Sequence, residues 1–290
     1  MRKNEQLKVQ VKNGNFVIEN VDCLDIALTL DCGQAFRWKQ VDDDELGTAF
    51  HAVAGGRNAT VSQKFLDDGT SILTFKNQSE KDADYWIHYF DLDRDYAKVC
   101  SCLEKDEILH SAITEFPGIR ILNQDPFETL ISFIISQNNN IPRIKGIIDR
   151  LCKTFGEEVD EGCFSFPAPE VLASLSEENL APLRAGFRNK YILDAARCVA
   201  NGTVDLSALK AVSLTECEES LKLIKGVGPK VAQCVSLYSL EHIDAFPVDV
   251  WVKRIMSELY PNGLPACAEG VEGIAQQFLF HWRRNSINFK

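Results

Sequence analysis

The sequence lacks the features of a membrane or secreted protein. None of its apolar runs approaches the roughly 20 residues that a membrane-spanning helix needs. The polar residues Asn4–Gln6 follow Met1–Lys3, and this order predicts no signal peptide. The chain has no repeat period and no low-complexity segment long enough for a disordered tail. We therefore expect a cytoplasmic protein, whose 290 residues suffice for two or three domains.

Cysteine pairs at metal-binding spacing are also missing. The chain has ten cysteines, but no Cys-x-x-Cys motif, and Cys100-x-Cys102 has no second pair that would complete a metal site. We expect most of these thiols to be small buried side chains.

Positive charge is scarce overall but unevenly distributed. The net charge of −11 argues against a protein that is basic over its whole surface. Residues 1–118 carry a net charge of −8, and residues 119–290 carry only −3. Two stretches are locally basic: residues 138–154 have Arg143, Lys145, Arg150 and Lys153 against Asp149, and residues 281–290 have Arg283, Arg284 and Lys290 and no acid. The second part of the chain can therefore present the local basic stripe that phosphate binding needs.

The first 118 residues are predicted to form an antiparallel sheet domain. Runs rich in β-branched and aromatic residues are separated by Asn-Gly, Asp-Asp-Asp and Asp-Asp-Gly turn signals. The predicted strands are Val9–Val11, Phe16–Ile18, Phe36–Trp38, Ala49–Val53 and Ile72–Phe75. A helical transition follows at Tyr85–Val99.

Residues 119–290 are predicted to form a helical body of one or two subdomains, so the fold class is α+β. Asp125 is a plausible N-cap, with Pro126 in the first turn and Glu128 completing a capping box. One apolar face follows, formed by Phe127, Leu130, Ile131, Ile134 and Ile135. This helix ends at Asn138–Asn140, and Pro142 opens the next, which runs through Phe155. Further helices are expected near residues 168–175, 189–200, 214–224, 229–240, 250–259 and 269–284.

Residues 214–240 have the pattern of a helix-hairpin-helix. An apolar helix is followed by Gly226-Val227-Gly228, and Pro229 suits the first turn of a second helix. The two glycines allow backbone N–H groups to approach a phosphate. Lys230 then lies at a helix N-terminus, where the helix dipole disfavours a charged amine. On its own, such a hairpin is equally consistent with a simple turn.

Asp249 follows Lys230 by nineteen residues, within Pro247-Val248-Asp249-Val250. Taken alone, it is an N-cap for the next amphipathic run. A carboxylate in that position can also stabilise a developing positive charge.

The hairpin, Lys230 and Asp249 together resemble the helix-hairpin-helix, Gly-Pro-Asp superfamily of base-excision DNA glycosylases, and specifically its 8-oxoguanine DNA glycosylases. The resemblance runs from about residue 20 to 285 and also rests on five further motifs. These are Cys32–Trp38 (CGQAFRW), Asp125–Glu128 (DPFE), Ser136–Ile144 (SQNNNIPRI), Gly186–Arg188 (GFR) and Ala275–Phe280 (AQQFLF).

The resemblance implies a bifunctional enzyme that removes a damaged base and then cleaves the strand. Lys230 is the implied nucleophile: as a neutral amine it attacks C1′, and the covalent intermediate opens to a Schiff base. The imine acidifies the C2′ proton and so permits β-elimination of the 3′ phosphate. Asp249 is implied to stabilise positive charge on the sugar.

The resemblance also implies residues that surround the flipped base. Gly33, Gln276, Phe280 and Cys234 match the base pocket: the Gly33 carbonyl would accept the N7–H that 8-oxoguanine has and guanine lacks. Gln276 would read the Watson–Crick edge, while Phe280 and Cys234 would lie against the two base faces. Without the resemblance, Phe280 and Cys234 are as consistent with a core position, and Gln276 with a solvated helix surface.

Further residues match DNA-contacting positions of the family: Asn138, Arg143, Phe187, Arg188, Gly226, Gly228 and Trp251. Arg143 and Arg188 match positions that contact the orphaned cytosine, whose O2 and N3 accept hydrogen bonds from arginine. Phe187 stands where relatives commonly have tyrosine. Trp251 stands where many relatives have a histidine near the lesion phosphate, and this replacement puts the phosphate contact at residue 251 in doubt.

No cofactor is expected. Several relatives hold an iron–sulfur cluster on four cysteines after the hairpin, but here only Cys267 follows Cys234, which excludes that cluster. The backbone carbonyls of Lys222, Ile224 and Val227 match a monovalent-cation site of the family. The expected partner is double-stranded DNA containing an oxidised purine, bound by a monomer that is nucleoid-associated if the chain is bacterial.

Three alternatives remain at this point. A monofunctional alkylpurine glycosylase would share the architecture, but such relatives generally lack the hairpin lysine. A non-catalytic DNA-binding protein would use the hairpin for phosphate contacts and would not need Asp249 or the pocket residues. The third is an unrelated helical scaffold with an incidental turn.

Overall fold

The N-terminal part of the chain is a single antiparallel sheet. In the computed structural model, which describes residues 7–286, six strands pair in the order β1-β2-β6-β5-β4-β3. The strands are β1 (Lys8–Lys12), β2 (Asn15–Val21), β3 (Lys39–Asp43), β4 (Gly47–Ala54), β5 (Arg57–Phe65) and β6 (Ser71–Lys76). This confirms the predicted antiparallel sheet.

The Asn-Gly turn signal sets the register of the first strand pair. Asn13 and Gly14 both have positive φ, 51° and 81°, and connect β1 to β2 so that Lys12 faces Asn15. A two-residue Asn-Gly turn of this kind matches the twist of the paired strands. In β6 every second side chain is buried, including Leu73 and Phe75, so one face of the sheet is directed to a core.

The predicted strand at Phe36–Trp38 is wrong, since β3 begins only at Lys39. The Phe36–Trp38 segment contacts the helical body: Phe36 packs edge-on against Phe133 at 5.6 Å between ring centroids. Arg37 pairs with the Glu128 carboxylate at 3.2 Å. The apolar residues of this segment therefore connect the two parts of the molecule.

Besides β3, two further elements in this region were not predicted, the strand β5 and the short helix α1 (Ile26–Asp31). In β5, polar residues such as Asn58 and Gln63 obscure the apolar alternation of Ala59 and Val61, which are both fully buried. Gln63 accepts the Ile26 N–H at 2.8 Å, so a tertiary contact joins the two elements.

The remainder is mainly helical, as predicted. The helices that follow the sheet are α2 (Ala83–Tyr89), α3 (Tyr96–Leu103), α4 (Glu107–Glu115), α5 (Pro126–Ser136), α6 (Ile141–Phe155), α7 (Pro169–Ala173), α8 (Asn189–Ala200), α9 (Leu214–Leu221), α10 (Pro229–Ser239), α11 (Val250–Leu259) and α12 (Glu272–Asn285). A small hairpin, β7 (Glu158–Asp160) and β8 (Cys163–Phe164), follows α6. Asp125 caps α5 by accepting the Glu128 N–H at 2.8 Å. None of the helices between residues 7 and 286 is long and apolar enough to cross a membrane.

Most buried apolar residues in the described part of the chain belong to two clusters, which meet near the predicted domain boundary. The sheet packs on aromatic side chains of α2, including Trp86, and on Leu122. Tyr96 and Leu109, from α3 and α4, belong instead to the core of the helical body. The division at residue 118 stays a prediction, and the two cores share the segment around it.

Candidate active site

The hairpin places a lysine at the beginning of α10. Helix α9 ends at Leu221, the chain turns through Gly226 with φ +86°, and α10 starts at Pro229. A Cβ atom at Gly226 would lie 2.4 Å from the ring of Tyr191, whereas one at Gly228 would meet no atom within 4 Å. Only Gly226 is therefore required by both its backbone conformation and its packing.

This difference gives a stability prediction. Gly226→Ala should lower the free energy of unfolding by about 1–3 kcal/mol from backbone strain alone, with a further loss from the contact with Tyr191. Gly228→Ala is the matched control and should unfold like the wild type. Thermal or urea unfolding measures both variants. Equal stability of Gly226→Ala and the wild type would contradict this account of the turn.

Lys230 lies over an aromatic ring beside a buried thiol. Its Nζ is 4.9 Å from the ring centroid of Phe133, a buried residue of α5. Cys234, one turn further along α10, is only 2% exposed. Burial raises the pKa of the Cys234 thiol, and the nearby Lys230 opposes that rise. The lysine side chain is thus directed back toward the apolar interior from a helix N-terminus.

Asp249 lies at the same cleft and caps the next helix. Its Oδ1 accepts the Val252 N–H at 2.8 Å, at the start of α11. Lys230 and Asp249 both line a cleft of about 700 Å³, together with Gly33 and Phe280. The Asp249 carboxylate can therefore cap α11 and also place a negative charge at the cleft.

Of the four residues predicted to surround the base, Gly33 and Phe280 line this cleft, whereas Gln276 and Cys234 are buried and do not line it. Gly33, with φ +88°, faces α12, where an added Cβ would lie 3.4 Å from the Phe280 ring. Gln276 is 4% exposed, and its Nε2 donates to the Pro247 carbonyl at 3.4 Å. Its buried Oε1 has no hydrogen-bond partner among residues 7–286. A buried acceptor without a donor is unfavourable, so a donor that reached this oxygen would be stabilised by it.

The predicted DNA contacts fall into two groups. Asn138 and Trp251 line the cleft, and Trp251 is exposed, with the Arg254 guanidinium 5.5 Å from its ring centroid. Arg143 and Phe187 are also exposed but do not line the cleft. These four side chains are accessible to a bound strand.

Arg188 is instead buried, with 3% of its surface exposed. Its guanidinium donates to the carbonyls of Ala185, Gln137 and Asn138. Burial and then the charge of Arg143 lower the pKa of Arg188. In this conformation Arg188 holds the loop that carries Asn138, and a contact with cytosine would require some of these bonds to be exchanged.

The carbonyls predicted to hold a cation lie in the hairpin turn. The oxygen of Ile224 accepts the Val227 N–H at 3.1 Å, so one of the three oxygens is partly engaged. The cation site stays a prediction. Lys290, part of the predicted basic C-terminal run, lies outside the described residues.

Comparison with known proteins identifies the family. Residues 16–130 match the model of the 8-oxoguanine DNA glycosylase N-terminal domain, and residues 131–268 match that of the HhH-GPD superfamily base excision DNA repair proteins. The chain is 36% identical to the N-glycosylase/DNA lyase of Saccharomyces cerevisiae, over 81% of this chain and 68% of the yeast protein. The chain belongs to the 8-oxoguanine DNA glycosylase/lyase family. This confirms the resemblance seen in the sequence and rules out the three alternative interpretations.

Solved structures match this glycosylase along almost its whole length. MBOgg1 in complex with a low-affinity DNA ligand is 39% identical, with a TM-score of 0.87 over 96% of this chain and 98% of that one. The 8-oxoguanine glycosylase/lyase of Clostridium acetobutylicum, in complex with double-stranded DNA containing cytosine opposite 8-oxoguanine, is 33% identical. Its TM-score is 0.85 over 96% of this chain and 97% of that one.

Several residues at the site of the glycosylase were not predicted. Phe133, Lys253 and Arg284 line the cleft, and Gln277 lies behind it, hydrogen-bonded to the Cys32 carbonyl. Phe133 and Gln277 look like ordinary core positions of amphipathic helices, so only the tertiary fold reveals their proximity to Lys230 and Gly33. The basic residues of α11 and α12 were detectable as charge, but not as part of the cleft.

Proposed function

We propose that Lys230 is the nucleophile with which this 8-oxoguanine DNA glycosylase/lyase excises the base and then cleaves the strand. The observation that carries the proposal is the shared cleft of Lys230, Asp249, Gly33 and Phe280. It brings an amine and a carboxylate together in one cleft, and these are the groups that covalent glycosylase chemistry requires.

The reaction follows from this arrangement. The neutral amine of Lys230 bonds to C1′ as the bond from C1′ to the purine nitrogen breaks, and the departing base takes the electron pair and a proton. Opening of the sugar ring gives the Schiff base between Nζ and C1′. Loss of the C2′ proton then expels the 3′ phosphate by β-elimination. Phe133 beneath Nζ supplies an apolar contact that limits the directions the amine can take.

Asp249 acts on the charge that develops during the first step. The sugar gains oxocarbenium character as the glycosidic bond breaks, and a fixed carboxylate stabilises that charge. The cap bond to Val252 fixes Oδ1 before substrate arrives, so little reorganisation is needed.

Recognition of the lesion is assigned to Gly33 and Gln276. The Gly33 carbonyl accepts the N7–H of 8-oxoguanine, while guanine would present an acceptor to an acceptor. One such bond discriminates by about 1–3 kcal/mol, which is too little for the excess of guanine, so base flipping must contribute. The unpaired Gln276 Oε1 is available for a donor on the Watson–Crick edge of the base.

The proposed partner is double-stranded DNA with 8-oxoguanine opposite cytosine, bound by a monomer. Arg143 and Arg188 contact the orphaned cytosine, while Asn138 and Phe187 occupy the space left by the flipped base. Gly226 and Gly228 present backbone N–H groups to a phosphate, and the exposed ring of Trp251 packs on the strand. The proposed location is the cytoplasm, on the nucleoid in a bacterium.

The opposite-base preference can be tested with Arg143, since replacing Arg188 would also disturb the loop that it holds. Arg143→Ala should reduce the preference for cytosine over the other bases by about 1–3 kcal/mol, or roughly 5- to 150-fold. Single-turnover excision of 8-oxoguanine paired with each of the four bases measures it. Lys153→Ala removes a charge from the same helix and should leave the preference unchanged. Equal wild-type rates opposite all four bases would refute the role of both arginines.

A further inference from the structure

A buried amide outside the predicted site, that of Gln277, connects two sides of the base pocket. Its side chain lies on α12 and is 1% exposed. Its Nε2 donates to the Cys32 carbonyl at 2.9 Å, and its Oε1 accepts the Tyr238 hydroxyl at 2.7 Å. The amide therefore joins the segment before Gly33 to α10, with both of its ends in use.

Tyr238 extends this connection toward Lys230. Its ring stacks on Phe133 at 5.5 Å between centroids and 20° between planes, and Phe133 lies beneath Lys230 Nζ. Burial raises the pKa of Tyr238 well above its usual value, so its hydroxyl stays protonated and remains a donor. Three side chains thus connect the peptide before Gly33 with the amine of Lys230.

Gly33 needs this support because a glycine with positive φ has little backbone restraint of its own. The chain after Gly33 is held by Gln34, which is buried. Its side chain bonds to the Thr29 and Arg120 carbonyls and the Leu122 N–H, and its own carbonyl accepts from Gln124. The peptide before Gly33 is planar, so the bond from Gln277 to the Cys32 oxygen also orients the Gly33 N–H.

We propose that Gln277, supported by Tyr238, positions the Gly33 carbonyl to accept the N7–H of 8-oxoguanine. The inference rests on the proposed function, in which that carbonyl distinguishes the lesion from guanine. Gln277 is a positioning residue, since it acts through Cys32 and Gly33. Its effect is therefore expected when a base occupies the pocket, and not when the substrate has no base.

The test compares two substrates under single-turnover conditions: duplex DNA with 8-oxoguanine opposite cytosine, and the same duplex with a preformed abasic site. Gln277→Leu should lower the excision rate about tenfold or more, as expected for loss of one well-placed hydrogen bond. Cleavage at the abasic site should match that of the wild type. Tyr238→Phe keeps the stacking on Phe133 and should give a smaller loss, again for excision only.

Ser239→Ala is the matched control for Tyr238→Phe. It removes one buried hydroxyl from the same helix, and that hydroxyl donates within the helix, to the Val235 carbonyl at 2.8 Å. Both rates should remain at the wild-type value. If Gln277→Leu does not fold, the comparison of Tyr238→Phe with Ser239→Ala decides the question.

Equal losses on both substrates, or an unchanged excision rate in Gln277→Leu, would overturn the inference. If the inference fails in this way but the wild-type protein still excises 8-oxoguanine, the proposed function stands. A wild-type protein that cleaves abasic DNA but does not excise the lesion would overturn the proposed function, and this inference with it.

Discussion

Lys230→Gln is expected to abolish covalent trapping and strand cleavage while leaving DNA binding. The amide cannot form a Schiff base, so borohydride should no longer link the protein to lesion DNA. Excision should fall by at least about a thousandfold, as is typical when a nucleophile is removed. Glutamine is close to lysine in length and can maintain the packing over Phe133. Affinity for the lesion duplex, measured by fluorescence anisotropy, should therefore change little.

Lys225→Gln is the matched control for this variant. Lys225 lies in the same hairpin, its side chain is 81% exposed, and it pairs with Asp194 at 3.4 Å. Removing its charge should leave trapping and cleavage intact and weaken binding at most slightly. Excision by Lys230→Gln at the wild-type rate would show that another group is the nucleophile.

Asp249→Asn is expected to slow the chemical step about a hundred- to a thousandfold with little loss of affinity. This is the usual effect of removing one fixed electrostatic contact with the transition state. Asparagine caps helices as well as aspartate does, so it can still accept the Val252 N–H, and α11 should remain intact. Single-turnover excision measures the rate, and thermal unfolding tests the helix.

Asp95→Asn provides the comparison for the cap itself. Asp95 caps α3 by accepting the Lys98 N–H at 2.9 Å, in the same manner as Asp249 but away from the cleft. It should leave the excision rate unchanged. A similarly small effect at Asp249 would mean that this carboxylate serves only as a cap.

The local features of the fold were predictable because they depend on neighbouring residues. The Asn13-Gly14 turn and the cap at Asp125 each need only a few consecutive positions. The hairpin before α10 follows in the same way from two glycines and a proline. Phe36–Trp38 was misassigned because aromatic residues favour strands, whereas here Phe36 is bound by Phe133, almost a hundred residues further along the chain.

The same distinction between neighbouring and distant residues decides which parts of the candidate site could be predicted. Lys230 and Asp249 were found because their motifs are short, and the cleft that they share agrees with that pairing. The hydrogen bond between Gln277 and Cys32 joins residues 245 positions apart, and the local sequence around neither residue indicates it. The inward orientation of Arg188 was equally hidden, since a surface arginine and a loop-holding arginine have the same local sequence.

The buried thiol beside Lys230 has a consequence for the conditions under which this enzyme must work. Hydrogen peroxide attacks thiolates, and it attacks them most readily when they are accessible. Burial raises the pKa of Cys234, and it raises that of Cys32 to about 12, so both remain protonated and shielded at neutral pH. The interior beside Lys230 and Gly33 thus holds two thiols whose burial protects them from such oxidants.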